Sequence, residues 1–502
     1  MSDGGQQFEQ LLRRLGEVND VDKAMGLLVW DEETKMPPLG AAARAEQRAT
    51  LARIAHELEI DPALGELLEN LRGFEAEHEP ESFEASVIRI ARRDHEKNVR
   101  VPAELRAEMT RNASLGYRAW LEARERKDFG VLLPCLERSL ELMHRYVACF
   151  DHDGDPYDVL LDEYEPGMTA AEVDAVFDRL KAELIPMVAS VAEPVDDSCL
   201  HGRFPVDAQR RFSLAVLAAW GMDGDAWRLD GTVHPFAGSM APTDIRLTTN
   251  FHEDSLHGVL SCMHEFGHGL YERQVDPRFT RTPLARGVSS AFHESQSRLW
   301  ENLVGRNRAT WEHFYPRLRD AFPEHFADVS VDTFHRALNK VEPTMRRVDS
   351  DEVTYCLHIV LRFELERQML SGEVALADLP DAFDAKMREY LGLTPADAVE
   401  GVLQDVHWSE GGFGYFPTYA LGNVISVQLW RSAEEALGDL DAQFARGEFA
   451  PLREWLGEHV HRPGRTLEPQ ALLERVTGSR LDPEPYLGYL RGKLETLAVG
   501  VR

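Results

Sequence analysis

His264-Glu265-Phe266-Gly267-His268 places two histidines four residues apart, with a glutamate beside the first. On a helix, residues four apart stack on one side. Two imidazoles so placed can hold one zinc ion, and the adjacent carboxylate can reach a water on that ion. Zinc lowers the pKa of the water, and the carboxylate takes its proton as the water attacks a carbonyl. The pattern alone is weak, because His-Glu occurs six times in this chain, starting at residues 56, 78, 95, 252, 264 and 293. Its surroundings decide.

Catalytic zinc takes three protein ligands and leaves a fourth position open. The segment Ser289-Ser-Ala-Phe-His293-Glu294-Ser295-Gln296-Ser297-Arg298 offers two candidates for the third. Glu294 lies far enough beyond His268 for a turn and a returning helix. Neighbouring helix residues point about 100° apart, so only one of His293 and Glu294 faces the ion. Two histidines are already present, so Glu294 completes a two-His, one-carboxylate set. His293 is then free to orient a ligand from behind or to bind substrate. Cys262, two residues before His264, falls on the opposite helix face and reads as core.

The elements that must position these residues are mostly helices. Asp254 or Ser255 can cap the helix that carries the first motif, and Leu256, Val259, Leu260, Met263 and Leu270 form its apolar face. Just before it, Asp244–Asn250 holds Ile, Leu and two Thr in seven residues and is the best strand signal. Helical periodicity predicts helices over Phe8–Leu28, Ala43–Leu71, Phe83–Arg100, Leu105–Lys127, Leu132–Phe150 and Ala170–Ala192. It predicts others over Val331–Leu338, Glu352–Leu370, Pro395–Val402 and Leu472–Val476. Pro, Gly and Asp signals such as Asp61-Pro62 and Asp153-Gly154-Asp155-Pro156 bound them. The expected architecture is mostly α, a single unit over residues 1–502, with a lobe boundary near Gly202–Asp230.

Composition narrows the partners. The 502 residues carry a formal net charge of -31, from 86 acidic against 55 basic side chains. Phosphate binding needs a cationic surface, so nucleic acid and anionic membranes are poor partners. Five cysteines, an odd and widely spaced set without CxxC, argue against a disulfide framework or thiolate zinc and fit a reducing cytoplasm. The first residues hold no apolar core of the kind a signal peptide needs, and no apolar run reaches membrane-spanning length.

Several segments, in order, resemble the Taq-type metallocarboxypeptidases. They are His234-Pro235-Phe236; Asp244-Ile-Arg246-Leu-Thr248; His264-Glu265-Phe-Gly-His268; His293-Glu294-Ser295-Gln296; and Gly401-Val-Leu-Gln404-Asp405-Val-His407-Trp408. Trp30-Asp31-Glu-Glu-Thr-Lys-Met36-Pro37 and Gly414-Tyr415-Phe416-Pro417-Thr418-Tyr419 extend the likeness from about residue 8 to the C-terminus. One segment departs: Arg347-Val-Asp349-Ser350-Asp351-Glu352 stands where the family has Arg-Val-Glu-Ala-Asp-Glu.

The resemblance implies a two-lobed helical fold around a deep substrate groove, as in neurolysin and angiotensin-converting enzyme, with a small sheet at the cleft edge. It implies a homodimeric, broadly specific carboxypeptidase that uses Zn2+, for which Co2+ can substitute, and takes peptides with a free C-terminus. It assigns His264, His268 and Glu294 to the metal and Glu265 to general base and acid. Arg347 is the candidate for the substrate's terminal carboxylate, which a planar guanidinium binds bidentately. Arg246, on a strand that can pair with extended peptide, and His234 are further substrate-binding candidates, each weighed against a structural role. Tyr419, His407 and Tyr415 are candidates for the oxyanion or the substrate. Gln404 and Asp405 are candidates for orienting a ligating histidine, Asp405 the better. On the same scaffold an oligoendopeptidase or dipeptidyl carboxypeptidase is the alternative, and Arg347 with the Gln404–Trp408 motif favours the carboxypeptidase. A silent peptide-binding module is a second alternative, against which the intact Glu265 argues.

Overall fold

Capping side chains and prolines cut the chain into helices close to the places that periodicity predicts. Thr169 and Glu172 form a reciprocal capping box at the start of Ala170–Ser190, and Ser82 caps Phe83–Arg100. Asp61 accepts from the Ala63 backbone N–H and starts a new helix at Pro62, so the predicted Ala43–Leu71 divides into Ala41–Glu59 and Pro62–Asn70. The computed structural model describes residues 3–191 and 195–499. Within them the fold is mostly α, with one three-stranded sheet. No described helix is long and apolar enough to cross a membrane.

Pro395–Val402 is not the predicted helix but a run of turns. The Asp397 carboxylate accepts from the backbone N–H groups of Val399 and Glu400, at 2.9 and 3.2 Å. The Leu403 N–H reaches back to the Ala398 carbonyl at 2.8 Å. Local side-chain bonding has taken the donors a helix would use.

The sheet has the order β1-β3-β2. β1 (Trp227–Gly231) runs parallel to β3 (Asp244–Thr249), and β2 (Ala237–Ala241) runs antiparallel to it. Ile245 lies opposite Trp227 on one side and Ser239 on the other. β3 is therefore central, not the exposed edge that its sequence suggested. β1 and β2 are the two edge strands.

One helix packs on the sheet, and two more stack in turn behind it. The metal-motif helix, His257–Gln274, begins where the Ser255 hydroxyl accepts the His257 N–H; Asp254 does not cap it. Its back face buries Val259, Cys262, Met263, Phe266 and Leu270. Phe266 packs on Trp300 and Trp220 with ring centroids 5.1 and 5.6 Å apart. The short helix Ser290–Arg298 lies between this helix and Pro417–Leu437. Both contacts need glycine: a Cβ on Gly267 would stand 2.3 Å from the Gln296 carbonyl, and one on Gly422 would stand 2.7 Å from the Glu294 Cβ. The first approach brings the Gln296–Ser297 backbone close to the histidine helix, and the second brings Glu294 close to Pro417–Leu437. A second, smaller core joins Phe8 and Leu11 of the first helix to Leu67, Val87 and Ile88, and to Val275, Phe279 and Leu284 beyond the metal-motif helix.

Candidate active site

His264, His268 and Glu294 converge: one donor atom from each lies within 4.8 Å of the others. Nε2 of His264 is 3.8 Å from Glu294 Oε2, and Nε2 of His268 is 3.5 Å from the same oxygen. The remaining donor atoms are taken from behind. His264 Nδ1 lies 2.9 Å from Glu301 Oε2. His268 Nδ1 lies 2.7 Å from His293 Nδ1, whose Nε2 lies 2.9 Å from Glu272 Oε1. Arg298 donates from Nε to Glu294 Oε1 at 2.7 Å. Both Nε2 atoms and one carboxylate oxygen are thus left facing a common point, and this nitrogen–oxygen set suits one divalent ion.

Electrostatics keep the Glu294 carboxylate ionised. Burial alone would raise the Glu294 pKa, but Arg298, His264 and His268 hold it well below the usual carboxylate range. Glu265 is different. It is buried beside the site, and burial pushes its pKa up to about 7 against the pull of His264. A carboxylate poised near neutrality can both take and return a proton.

Glu301, Glu272 and Glu165 were not singled out in the sequence. Glu272 continues the four-residue spacing of His264 and His268, and that spacing is the signal that points to it. Glu301 sits in a π-helical turn, Leu299–Val304, that prolongs the Glu294 helix. Glu165 caps that helix at its other end, accepting the Ala291 N–H, and burial pushes its pKa up to about 8.

These groups open on a cavity of about 820 Å³. His264, Glu265, His268 and Glu294 line one wall, with Tyr415 and Tyr419 beside them. Ala237, Gly238 and Ser239 of the edge strand β2 line another. Lys23 reaches from the first helix and donates to the Ser239 carbonyl at 2.7 Å.

The family description "Carboxypeptidase Taq (M32) metallopeptidase" matches residues 10–494. The chain is 42% identical over 503 residues to thermostable carboxypeptidase 1 of Thermus thermophilus, covering 98% of each. It is 37% identical over 495 residues to carboxypeptidase 1 of Bacillus subtilis, again covering 98% of each. A crystal structure of the M32 carboxypeptidase from Deinococcus radiodurans superposes with a TM-score of 0.94 at 42% identity, covering 98% of this chain and 99% of that one. The chain belongs to the carboxypeptidase Taq family. It is a metallocarboxypeptidase, a peptide hydrolase that needs a divalent metal.

The other predicted residues of this carboxypeptidase fall into two groups. Tyr415 and Tyr419 face the cavity, their ring centroids 5.1 Å apart, and Tyr164 packs edge-on against Tyr415. The Tyr419 hydroxyl is 3.4 Å from His407 Nε2. Burial lowers the His407 pKa to about 4, so this imidazole is neutral. Arg347 lies one layer behind, buried, its guanidinium 4.9 Å from the centre of the Tyr419 ring.

Asp405 does not orient a ligating histidine. Its carboxylate accepts from Arg347 Nε and Nη2 at 3.0 and 2.7 Å and from Arg362 Nε at 2.6 Å. Two guanidiniums outcompete a neutral ring for a buried carboxylate. Gln404 joins the same cluster, accepting from the Arg347 backbone N–H and from Arg362 Nη2. Arg246 is bound bidentately by Asp244 and lies 4.5 Å from the centre of the Trp30 ring, as does Arg228. His234 is exposed on the connection between β1 and β2 and does not line the cavity. In the departing segment, Asp349 pairs with Arg346, and Ser350 bonds the Thr344 hydroxyl at 3.1 Å; the change is absorbed locally.

Proposed function

We propose that this carboxypeptidase holds zinc through His264, His268 and Glu294, and that Glu265 is its general base and acid. Zinc bound there supplies a Lewis acid for the scissile carbonyl and makes water acidic enough to react near neutral pH. The observation that carries the reading is the convergence of three donor atoms beside Glu265, a buried glutamate whose pKa burial pushes up. Cobalt suits the same donors and can substitute.

The chain's own groups do the rest. An extended peptide pairs with the part of β2 that lines the cavity, at Ala237, which presents its scissile bond to the Glu265 side. Glu265 takes the proton of the attacking water and returns it to the leaving amine. Tyr419, its hydroxyl held by neutral His407, donates to the developing oxyanion, with Tyr415 beside it. Arg347, packed 4.9 Å behind the Tyr419 ring, is the guanidinium that binds the terminal carboxylate and so selects free C-termini. A cavity walled largely by polar and charged groups supports broad specificity. We place the enzyme in the cytoplasm, as its free cysteines suggest, as a homodimer and a single functional unit, with neither nucleic acid nor membrane as partner.

Hydrolysis of N-blocked dipeptides and their C-terminal amides, with Zn2+ or Co2+ added, tests this. Free acids are cleaved and amides are not. Glu265→Gln binds metal as wild type does but loses activity by about 10²- to 10⁴-fold, as removal of a general base should. Arg347→Ala raises KM for free acids by about tenfold or more. Cleavage of amides at comparable rates would instead favour the endopeptidase reading, and an active Gln variant would move the chemistry away from this helix.

A further inference from the structure

We propose that Arg298 and Tyr355 are positioning residues that set the metal's carboxylate ligand and tie it to Arg347. Arg298 donates Nε to Glu294 Oε1 at 2.7 Å and Nη1 to Glu301 Oε2 at 3.2 Å. Glu301 in turn holds His264. One guanidinium therefore fixes a ligand directly and a second ligand through its partner. It also separates two buried carboxylates that would otherwise repel each other.

The other face of Arg298 is covered by Tyr355. The Arg298 Cζ lies 4.2 Å from the Tyr355 ring centroid, within cation–π range. Tyr355 is itself 4% exposed and cannot swing aside. Its hydroxyl accepts from Arg347 Nη1 at 3.0 Å. The tyrosine is thus wedged between two arginines, one serving the metal ligand and one lying behind Tyr419. Its ring acts on the metal side and its hydroxyl on the Arg347 side, so the two roles can be separated by mutation. The second role rests on the reading of Arg347 as the carboxylate binder; the first does not.

The experiment titrates the metal-free protein with Zn2+ against a chelating indicator, records the visible spectrum of the Co2+ form, and measures kcat and KM on a free-acid dipeptide. Arg298→Gln should weaken Zn2+ binding about 10- to 100-fold, the usual cost of losing a group that orients a ligand. Arg298→Lys, which keeps the charge but not the fork, should recover part of that loss. Tyr355→Leu should weaken Zn2+ binding several-fold and shift the Co2+ bands. Tyr355→Phe should leave Zn2+ affinity within about twofold and raise KM about tenfold with kcat little changed. Wild-type Zn2+ affinity in Arg298→Gln overturns the metal role. Equal Zn2+ losses in Tyr355→Phe and Tyr355→Leu overturn the division between ring and hydroxyl. If Arg347→Ala leaves KM unchanged, the Arg347 reading fails and with it the tie, while the Zn2+ titrations still decide the metal role.

Discussion

At the residue scale, the two candidate histidine ligands are braced unequally. Glu301 touches His264 directly, whereas Glu272 acts on His268 through His293. Such partners fix the tautomer and the ring orientation. Glu301→Gln should therefore weaken metal binding about 10- to 100-fold, and Glu272→Gln by less, because His293 stays in place between them. Competition with a chelating dye measures both, and a larger loss in Glu272→Gln would refute the ranking. The candidate ligands were legible as a motif, since their spacing puts the two histidines on one helix face and Glu294 on a following helix. Glu301 was only half legible. Glu294, Arg298 and Glu301 follow the i, i+4, i+7 spacing of one face. Such a row usually forms an exposed ion-pair stripe, and nothing in the sequence marks this one as buried. Asp405 was misread for a related reason. Its real partners, Arg347 and Arg362, stand 58 and 43 residues away in the chain, and only folding brings them together.

At the element scale, the helix Tyr355–Ser371 organises the loop that carries the aromatic candidates. Arg362, one turn before Glu366, grips Asp405 and Gln404. Glu366 accepts from the Trp408 indole at 2.8 Å, the Gly414 N–H at 3.0 Å and the Tyr157 hydroxyl at 2.6 Å. Gly414 has a φ of 86° and allows the chain to turn there toward Tyr415. The helix was legible in the sequence, its task was not: it is buried nearly all round, so no polar face reveals what it holds. Pro395–Val402 failed in the opposite way, as helical spacing without the free backbone donors to use it. Burial raises the Glu366 pKa from 4.5 to about 7. A raised folded-state pKa means that the folded protein holds this proton more tightly than the unfolded chain does. The stability it contributes is full below about pH 4.5 and is lost as pH rises through about 7. Glu366→Gln removes that dependence. Between those limits the wild type should lose stability relative to the variant, by up to about 3 kcal/mol. Thermal melting of both proteins across that range tests this, and a constant difference in melting temperature would sink it.

At the scale of the whole molecule, the groove was legible only through family likeness, because its walls come from distant parts of the chain. Lys23 of the first helix, Ser239 of the sheet edge, Tyr164, and the metal-motif histidines all meet there. What composition does dictate is charge. The net value of -31 leaves many carboxylates without a partner, and their mutual repulsion works against the compact state. Ion pairs oppose this, but many are exposed: Arg53 with Glu57, both 60% exposed, and Arg72 with Glu69, at 56% and 59%. Pairs of that kind contribute about 0–1 kcal/mol each. Salt shortens the screening length from about 10 Å at 0.1 M to about 3 Å at 1 M. It therefore weakens both the repulsion and the exposed pairs, while leaving buried pairs such as Arg347 with Asp405, at 9% and 11% exposure, largely intact. Repulsion among the excess carboxylates is the larger of the two screened quantities. The melting temperature should rise by a few degrees, about 2–5 °C, between roughly 0.05 and 1 M NaCl. A melting temperature that falls over that range would mean that the exposed pairs outweigh the excess charge, and that the acidic residues are arranged to attract more than they repel.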